Sequence, residues 1–595
     1  MDRYDHYQSQ DAVLQAQWQQ LRRQGRACFV GALLTFLLFV LFLVLYTTVG
    51  GGAVTLGLAA VSLVCYLYVR RLDVANDRRI GRVEDLRSVY RREMQACRGD
   101  YSTFDRGDRY VCQHHAFTYD LDIFGPDSLF QRISRCVTTC GADRLAERLS
   151  LARVDNQADA IEALSHEEAW RAGWMAYGQR GRIDVGRIRT AVSAARGRHL
   201  PLSSATRLLC GVGYVMMAGF YLAIVLACTG MVDAQLPLWW GIFQFFAVYT
   251  LCTRAVRTIS KSVAGLHAPM GTLVQAVAHI RTLSAVPDGL KDRFGELEEA
   301  ILSFRQLDDV LQRLDRRGNY LGLLLMDTFF LSDFFLVRRF VRWQQAYVDK
   351  IDRWIDHVAE LDALVSMATY RYNHPATTYA RVVDAEGVVY RAKALAHPFL
   401  GDKAVPNDFA IADGHYYIVT GANMAGKSTF LRALGVNYVM ALSGMPVSAE
   451  EMEVSRFRLF SSMRTTDDLS HGISYFNAEL RRLHQLIEAV RAGGEQAPGS
   501  GKHTLIILDE ILRGTNSLDK LNGSRLFLDY ISRFPVSGVI ATHDLELSKM
   551  QGERFHNFCF EIELGDPILY SYKITPGVAT NQNATYLLQQ MLGQE

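Results

Sequence analysis

The residues best suited to chemistry lie towards the C-terminus, in the segment GANMAGKS at 421–428. This segment satisfies the pattern G-x-x-x-x-G-K-[ST], in which glycines let backbone N–H groups converge on phosphate oxygens. The lysine of such a loop neutralises the β- and γ-phosphates of a nucleotide, and the next hydroxyl binds Mg²⁺. The pattern predicts a nucleotide site, with Ser428 also a metal ligand, formed by Gly421, Ala422, Asn423, Met424, Ala425, Gly426, Lys427, Ser428 and Thr429.

Two acidic residues, Asp509 and Glu510, follow the apolar run LIIL. At the end of a buried strand, Asp509 is expected to hold Mg²⁺, and Glu510 to orient and deprotonate the attacking water as a general base. His543 ends a third apolar run, GVIAT, and is predicted to hydrogen-bond the γ-phosphate. Together the three motifs predict an ATPase that uses ATP and Mg²⁺, with Lys427, Glu510 and His543 as its catalytic residues.

A parallel sheet is needed to bring these motifs side by side. YYIVTG, TLIILDE and GVIATH are short β-rich runs that alternate with helical segments, as in α/β domains that bind ligands at the carboxyl ends of strands. Further on, FCFEIEL and ILYSYKI flank GDP, which predicts an antiparallel hairpin. The glycine-rich segment 491–503 indicates a flexible surface insertion. We predict an α/β P-loop NTPase domain over residues 382–595.

The preceding region is predicted to be helical. Residues 70–205 and 254–381 show the periodicity of α-helices and are expected to form one all-α core domain in two parts. An apolar block at 208–253 separates these parts. CQHH at 112–115 and CVTTC at 136–140 match no standard zinc spacing, so ordinary reduced side chains are expected there.

Two apolar blocks are long enough to cross a bilayer, which takes about 20 apolar residues per helix. After a short segment at 1–26, residues 27–69 carry no charge and offer spans at 27–48 and 53–69. The block at 208–253 offers two more, so we predict four transmembrane helices in two hairpins. Every arginine-rich flank falls on one side, and the positive-inside rule makes that side cytoplasmic. The prediction is a multi-pass protein of a bacterial-type inner (plasma) membrane, with its soluble domains in the cytoplasm.

A fifth apolar segment, at 321–337, is ambiguous because it carries Asp327 and Asp333 and has arginines at both ends. A central Asp costs about 2.5–3.5 kcal/mol on the membrane-insertion scale. We therefore expect a packed or membrane-surface helix, with a fifth span as the alternative. The whole chain has 64 Lys and Arg against 62 Asp and Glu, so its net charge favours no class of partner.

Taken together, the motifs resemble those of the MutS family of ATPases, the mismatch-repair proteins and their relatives. The resemblance is carried, in the order of the chain, by VPNDFAI, TGANMAGKSTFLRALG, TTDDLSHGISYFNAEL, LIILDEILRGTNSLDK and ATHDLEL. A weaker resemblance to the start and end of the family's helical core is carried by DIFGPDSLFQRISRCVTTCGADRLAERL, ELDALVSMA and LAHPFL.

The resemblance implies a homodimer in which each protomer completes the nucleotide site of the other. By this similarity, Ser474 would contact the γ-phosphate bound by the partner protomer. Tyr572 falls where the family has a histidine that stacks on adenine, so adenine binding is expected there with a changed residue.

The departures from the family bear on what the protein binds. DNA-repair members carry a mismatch-reading domain with a Phe-x-Glu motif before the helical core. Here that place holds a transmembrane hairpin and no such motif. Double-stranded DNA remains a candidate ligand, without an expectation of mismatch specificity. Two alternatives stay open at this point: an ABC-like transporter, although ALSGM at 441–445 is misplaced for the ABC signature, and a membrane scaffold or remodelling ATPase with no nucleic-acid role.

Overall fold

The structure is a computed structural model, and the chain folds into two compact units that interleave along the sequence. We call them the helical unit (Met1–Asp100, Arg135–Ala142, Glu167–Ala363) and the sheet unit (Tyr101–Ser134, Asp143–His166, Leu364–Glu595). The structure describes residues 3–48, 50, 52–196, 206–263, 266–317, 320–464, 475–491, 502–513, 515–550, 552–563 and 569–580.

The helical unit is built from long helices, as the periodicity predicted. Two further helices, α4 (Thr139–Leu149) and α14 (Ile351–Asn373), begin in this unit and end in the sheet unit. Those wholly within it are α1 (Arg3–Thr48), α2 (Ala53–Cys97), α6 (Glu168–Ala176), α7 (Val185–Arg196), α8 (Thr206–Cys228), α9 (Gln235–Ser262), α10 (His267–His279), α11 (Lys291–Arg316), α12 (Tyr320–Phe330) and α13 (Ser332–Tyr347).

Helices α1 and α2 form an antiparallel hairpin of 46 and 45 residues. At 1.5 Å per residue each is about 68 Å long, roughly twice the hydrocarbon thickness of a bilayer. The predicted apolar spans occupy only the ends near the turn. Beyond them the pairing is polar: Trp18 donates a hydrogen bond to Glu84 at 2.8 Å, and Arg87 pairs with Asp11 at 2.9 Å.

Within the described part of the chain, four helices are long and apolar enough to cross a membrane by length and composition. They are Arg3–Thr48, Ala53–Cys97, Gly211–Cys228 and Gln235–Lys261.

The apolar segment at 321–337 is not a single helix, as the sequence had suggested, but two. The chain breaks between α12 and α13 at Leu331, which has a positive φ of 49°. The backbone N–H of Asp333 donates to Asp327 Oδ1 at 2.8 Å, so one carboxylate caps the start of the next helix. Arg317 pairs with Asp333 at 2.6 Å. Both aspartates are buried, which agrees with packing of this segment against the unit.

A buried aspartate, Asp362 on α14, organises the interior of the helical unit. Its carboxylate accepts hydrogen bonds from Val137 N at 3.0 Å and Thr138 N at 2.8 Å. It also accepts from Thr138 Oγ1 at 2.7 Å and Trp174 Nε1 at 2.8 Å. Burial raises the pKa of Asp362, and these donors oppose that effect. The aspartate thereby ties the short segment at 135–142 to α6 and α14.

The sheet unit combines helices with three sheets. Its helices are α3 (Leu129–Ile133), α5 (Ala158–His166), α15 (Lys427–Leu442), α16 (Tyr475–Arg491) and α17 (Ser517–Ile531). Its strands are β1 (Thr378–Tyr379), β2 (Arg381–Val383), β3 (Tyr390–Leu395), β4 (Asn407–Ile411), β5 (Tyr416–Gly421), β6 (Pro446–Val447), β7 (Glu451–Ser455), β8 (Arg458–Ser462), β9 (Thr504–Asp509), β10 (Val536–Ala541), β11 (Phe555–Glu563) and β12 (Leu569–Pro576).

The main sheet has the strand order β12-β11-β5-β10-β9-β8 and is parallel except for β12. Strands β5, β9 and β10 are buried at every position, as expected of parallel strands covered on both faces. The predicted parallel runs and the antiparallel hairpin of β11 and β12 are both confirmed. Leu486 of α16 and Leu528 of α17 pack on Ile506 and Leu508 in one buried cluster. Most of the predicted insertion, 492–501, lies outside the described residues.

Smaller sheets flank this one, in the orders β2-β7-β3-β4 and β1-β6. The helical N-terminal region and the α/β C-terminal region are therefore as predicted. The loop at 101–128 also packs within the sheet unit, through buried Asp120. Its carboxylate accepts from Ser461 Oγ and Arg464 N, both at 2.9 Å, at the end of β8.

Candidate functional site

The loop between β5 and α15 is shaped by two glycines. Gly421 has φ 149°, and a Cβ there would lie 2.8 Å from the carbonyl oxygen of Phe560. Gly426 has φ 108°, and its Cβ would lie 3.2 Å from the ring of Tyr572. Only glycine combines these backbone angles with such close neighbours. The loop can therefore turn tightly and present the first turn of α15 to the surrounding space.

Lys427 is the first residue of α15 and is only 6% exposed. Its ammonium donates hydrogen bonds to the carbonyl oxygens of Gly421 and Ala422, each at 2.8 Å. Burial lowers its pKa to about 8, and the carboxylates of Asp509 and Glu510 act in the opposite direction. Below that pH the side chain is mostly charged, so it holds a positive charge inside the loop at neutral pH.

Ser428 and Asp509 are brought into direct contact by adjacent elements. The Ser428 hydroxyl donates to Asp509 Oδ2 at 2.6 Å, joining the start of α15 to the end of β9. The sequence predicted both residues as metal ligands, from motifs that are 81 positions apart. The structure thus places a hydroxyl and a carboxylate oxygen side by side.

Glu510 follows β9 with a positive φ of 60°, a conformation that is costly for a residue with a side chain. Its backbone N–H donates to the carbonyl oxygen of Ala541 at 2.9 Å, which fixes it against the end of β10. Two cationic groups lie near its carboxylate: Arg513 Nε at 3.2 Å and Lys520 Nζ at 3.4 Å. His543 Nε2 is 3.9 Å away. The strained turn therefore aims the carboxylate into a ring of three basic side chains.

Arg513 and Lys520 were not predicted from the sequence as site residues. Arg513 also approaches Asp509 Oδ2 at 3.3 Å, so one guanidinium contacts both acids. Arg513 lies three residues after Glu510, a spacing that is visible in the sequence. The guanidinium reaches the carboxylate of Glu510 only because the chain turns at Glu510.

His543 lies at the end of β10 and is partly exposed. Burial, followed by the charge of Lys427, lowers the pKa of its imidazole below the usual value. The ring is therefore neutral at pH 7 and can donate one hydrogen bond and accept another.

These side chains surround one cavity of about 880 Å³ in the sheet unit. The predicted residues that line it are Asn423, Met424, Ala425, Gly426, Lys427, Ser428, Thr429, Asp509, Glu510, His543 and Tyr572. Gly421 and Ala422 contribute the carbonyls that accept from Lys427. Ser474 lies outside the described residues. Thus all but one of the predicted residues meet in a single place, while their roles stay predictions.

One end of the cavity is formed by aromatic and amide groups. Tyr572 on β12 is 43% exposed, and its carbonyl oxygen accepts from Asn407 Nδ2 at 3.0 Å. Asn407 also accepts from Ile574 N at 2.9 Å, so it links the start of β4 to β12. The sequence motif VPNDFAI contains Asn407, although no role was predicted for it. Other lining residues that were not predicted include His397, Lys403, Phe430 and Phe560.

The arrangement as a whole places an ammonium, a hydroxyl and two carboxylates at the carboxyl ends of parallel strands. Ligands bind at this edge in open α/β sheets. The positive end of α15 and the buried ammonium favour an anion, and the adjacent oxygen atoms favour a hard cation.

The C-terminal region is similar in sequence to known proteins. Residues 417–589 match the family model described as MutS domain V. Among curated relatives, the DNA mismatch repair protein MutS of Thermosipho melanesiensis is 31% identical over 244 residues, which is 39% of this chain and 28% of that protein. MutS of Chloroflexus aurantiacus is 32% identical over 250 residues, 40% of this chain and 24% of that protein. MutS of Petrotoga mobilis is 29% identical over 243 residues, 40% and 28% respectively.

The matched region therefore spans about a quarter of the length of these relatives. It includes the glycine-rich loop, both acids, His543 and Tyr572. The resemblance deduced from the motifs is confirmed for this part of the chain: residues 417–589 match the MutS domain V model and are similar to the corresponding part of MutS proteins.

Proposed function

We propose that the sheet unit binds and hydrolyses ATP as a P-loop NTPase. The observation that carries the proposal is the convergence of Lys427, the Ser428–Asp509 pair and Glu510 on one cavity. The ammonium and the N-terminus of α15 supply positive charge for the β- and γ-phosphates. A carboxylate beyond them can act on a water molecule, which is the arrangement that hydrolysis needs.

The residues present fit a divalent cation. Ser428 Oγ and the carboxylate of Asp509 are hard oxygen donors already in contact at 2.6 Å, and Mg²⁺ prefers such donors. These two residues would hold Mg²⁺, which when bound neutralises charge between the phosphates.

We assign Glu510 as the general base that orients and deprotonates the attacking water. Arg513 and Lys520 hold its carboxylate in place from two sides. His543, which is neutral at pH 7, would hydrogen-bond the γ-phosphate. Tyr572 would stack on the adenine, since its ring faces the cavity and stacks on Tyr570 with 5.8 Å between centroids.

We propose further that the protein is anchored in an inner (plasma) membrane by four helices. In the most apolar windows of α1 and α2 only 6% of residues are buried, and in those of α8 and α9 only 17% and 22%. Contiguous apolar surface of this extent is rare on water-soluble proteins. The arginine flanks support a cytoplasmic location for both units. Extraction of the protein from membranes by alkaline carbonate, which releases peripheral proteins, would contradict this anchoring.

The proposal includes a homodimer, with Ser474 of each protomer reaching the nucleotide of the other. This rests on the family resemblance, since Ser474 lies outside the described residues. Mixing Lys427→Ala protein with Ser474→Ala protein tests it, because each mixed dimer then has one intact site. Hydrolysis should partly recover on mixing; none would be recovered if Ser474 served the nucleotide of its own protomer.

We propose that the macromolecular ligand of this ATPase is double-stranded DNA, which it binds without mismatch specificity. The curated relatives are named DNA mismatch repair proteins, which supports DNA, whereas the mismatch-reading motif is missing before the helical core. Fluorescence anisotropy with labelled duplexes should show binding that weakens steeply with salt. Matched and mismatched duplexes should bind within threefold of each other. An ABC-like transporter or a scaffold ATPase would bind neither duplex.

The ATPase proposal is tested by nucleotide binding to the full-length protein in detergent. Lys427→Ala removes the buried ammonium and should weaken ATP binding at least 100-fold, which is about 2.7 kcal/mol. Lys549→Ala is the matched control: it removes an exposed ammonium of the same unit that pairs with Glu546. The control should bind ATP within twofold of the parent. If the Lys427→Ala protein bound ATP as tightly as the parent, the proposed nucleotide site would be wrong.

A further inference from the structure

A second cavity, of about 1220 Å³, lies wholly within the helical unit. Its walls come from the part of α2 between Val74 and Asp85, from the chain between Gly173 of α6 and Arg187 of α7, and from α10. Gln312 of α11 completes the lining. None of the motifs that built the nucleotide site contributes to it, so any ligand of this cavity would be recognised by other residues.

Arginine dominates this cavity. Three of its arginines lie on α2 and three lie about 100 positions later in the chain. They are Arg78, Arg79, Arg82, Arg180, Arg182 and Arg187. Three aspartates also line the cavity: Asp77, Asp85 and Asp184. The lining therefore carries more positive than negative charge.

The ion pairs account for only part of this positive charge. Arg180 pairs with Asp85 at 2.9 Å and Arg187 with Asp184 at 3.0 Å. Arg182 donates to the carbonyl oxygen of Cys136 at 3.2 Å. Across the described parts of the chain, by contrast, the three arginines of α2 have no carboxylate within ion-pair distance. Three guanidinium groups on one helix face the same concavity with their charge uncompensated.

The convergence is not explained by membrane topology alone. Basic residues that follow a transmembrane segment account for those on α2, but the second group belongs to a different part of the chain. Arg180 passes close to α2 at Gly81: a Cβ there would lie 2.5 Å from Arg180 Nη2. Burial, and to a lesser degree the charge of Arg82, lowers the pKa of the neighbouring His279. The charge of Arg82 therefore acts on a group of α10, the helix that forms one wall of the cavity.

We propose that this cavity binds a phosphate-bearing ligand through the arginines of α2. Guanidinium groups form paired hydrogen bonds with phosphate oxygens, and several of them around one concavity suit a diphosphate or a pair of phosphates. The volume exceeds the usual range of about 300–1,000 Å³ for small-molecule sites, so there is room for a group attached to the phosphates.

Two sources of such a ligand are within reach. Val74 is five residues beyond the apolar segment that ends at 69, and Arg78 is nine residues beyond it. At 1.5 Å per residue these positions lie about 7 Å and 13 Å along the helix. With the proposed anchoring, the rim would lie at the depth of the lipid headgroups, and the long arginine side chains would lie within reach of both the headgroups and the aqueous phase. The ligand is either a soluble phosphate compound or the headgroup of an anionic lipid; the lipid source alone depends on the proposed anchoring.

Calorimetric titration with inorganic pyrophosphate tests the proposal. The full-length protein is placed in nanodiscs of phosphatidylcholine and carries Lys427→Ala throughout, so that the nucleotide site does not contribute. In this background a variant with Arg78→Ala, Arg79→Ala and Arg82→Ala should bind pyrophosphate at least tenfold more weakly. Its matched control removes three exposed arginines of the same unit that do not line the cavity: Arg305→Ala, Arg342→Ala and Arg353→Ala.

The control should bind within twofold of its background. A second series replaces a fifth of the lipid with phosphatidylglycerol. Loss of pyrophosphate affinity in this series assigns the site to lipid headgroups, and unchanged affinity assigns it to a soluble phosphate compound. The proposal is overturned if the background protein binds no pyrophosphate, or if the cavity variant and its control bind equally. It is also overturned if substitution of these arginines weakens the binding of duplex DNA but leaves the binding of pyrophosphate unchanged.

Discussion

The two units hold positive charge in opposite ways. In the sheet unit, Lys427 is 6% exposed and held by two backbone carbonyls. In the helical unit, Arg78, Arg79 and Arg82 of α2 are exposed. Burial fixes the ammonium and lowers its pKa, whereas an exposed guanidinium keeps both its charge and its freedom. The first arrangement suits a reaction that needs exact placement, and the second suits capture of an anion without chemistry.

The carboxylates of the two units also differ in their surroundings. Asp362 in the helical unit accepts hydrogen bonds from one short segment and one tryptophan. Asp509 and Glu510 in the sheet unit face a cavity and share Arg513. We conclude that the first carboxylate serves the fold and the other two serve the site. Each prediction below tests one side of this contrast.

The largest expected effect is on stability. Asp362→Ala leaves the backbone N–H of Val137, the N–H and hydroxyl of Thr138 and the indole N–H of Trp174 buried without an acceptor. At about 1–3 kcal/mol for each unsatisfied group, partly relieved by water, we expect a loss of about 3–5 kcal/mol in the free energy of unfolding. Thermal unfolding followed by tryptophan fluorescence measures it.

Asp356→Ala on the same helix is the control for that variant, because its exposed pairing with Arg189 contributes at most about 1 kcal/mol. If the role of Asp362 is structural, ATP affinity should stay within threefold of the parent at temperatures where the variant is folded. Unchanged stability together with lost hydrolysis would instead place Asp362 in the mechanism.

A smaller effect, on rate, is expected from Arg513→Ala. Removing the guanidinium frees the carboxylate of Glu510 to move, and we expect hydrolysis to slow about tenfold, or about 1.4 kcal/mol. ATP affinity should change less than threefold. Arg525→Ala is the control, since this exposed arginine of α17 donates to the carbonyl oxygen of Glu546 and does not line the cavity. A loss of affinity as large as the loss of rate would mean that Arg513 binds the nucleotide directly.

The last expected effect is a gradual change of ATP affinity with pH. Lys427 has a pKa of about 8 in the folded protein, below its ordinary 10.5, so it loses its charge as pH rises through 8. Bound phosphates favour the charged form, and ATP affinity should therefore be steady below pH 8. Above pH 8 it should fall by up to about tenfold per pH unit. Binding measured from pH 7 to 9.5 tests this.

Lys427→Arg should abolish the pH dependence, because a guanidinium stays protonated across this range. Its affinity at pH 7 can differ from that of the parent, but it should not vary with pH. An equally steep decline in this variant would assign the titration to another group.

Much of the sheet unit could be predicted because each of its motifs and strands is specified by residues that are close together in the sequence. The phosphate loop is one continuous segment, and apolar runs such as TLIILDE specify buried parallel strands. Arg513 and Lys520 were missed since their roles depend on the turn at Glu510, whose positive φ has no signature in the sequence. The break at Leu331 was missed for a similar reason.

The arginine cavity could not be predicted at all, because it requires α2 and the segment at 180–187 to meet. No periodicity in either segment specifies that contact. Gly81 lies where Arg180 approaches α2. A single glycine in a helical segment does not by itself predict such a contact or a ligand.

The central claim, that the sheet unit is an ATPase with Glu510 as its base, is tested most directly by a single-turnover measurement on Glu510→Gln. This change keeps the shape of the side chain and removes its basicity. The variant should bind ATP within threefold of the parent and hydrolyse it at least 100-fold more slowly, so that ATP persists on the protein. Hydrolysis by Glu510→Gln at the parent rate would contradict the account.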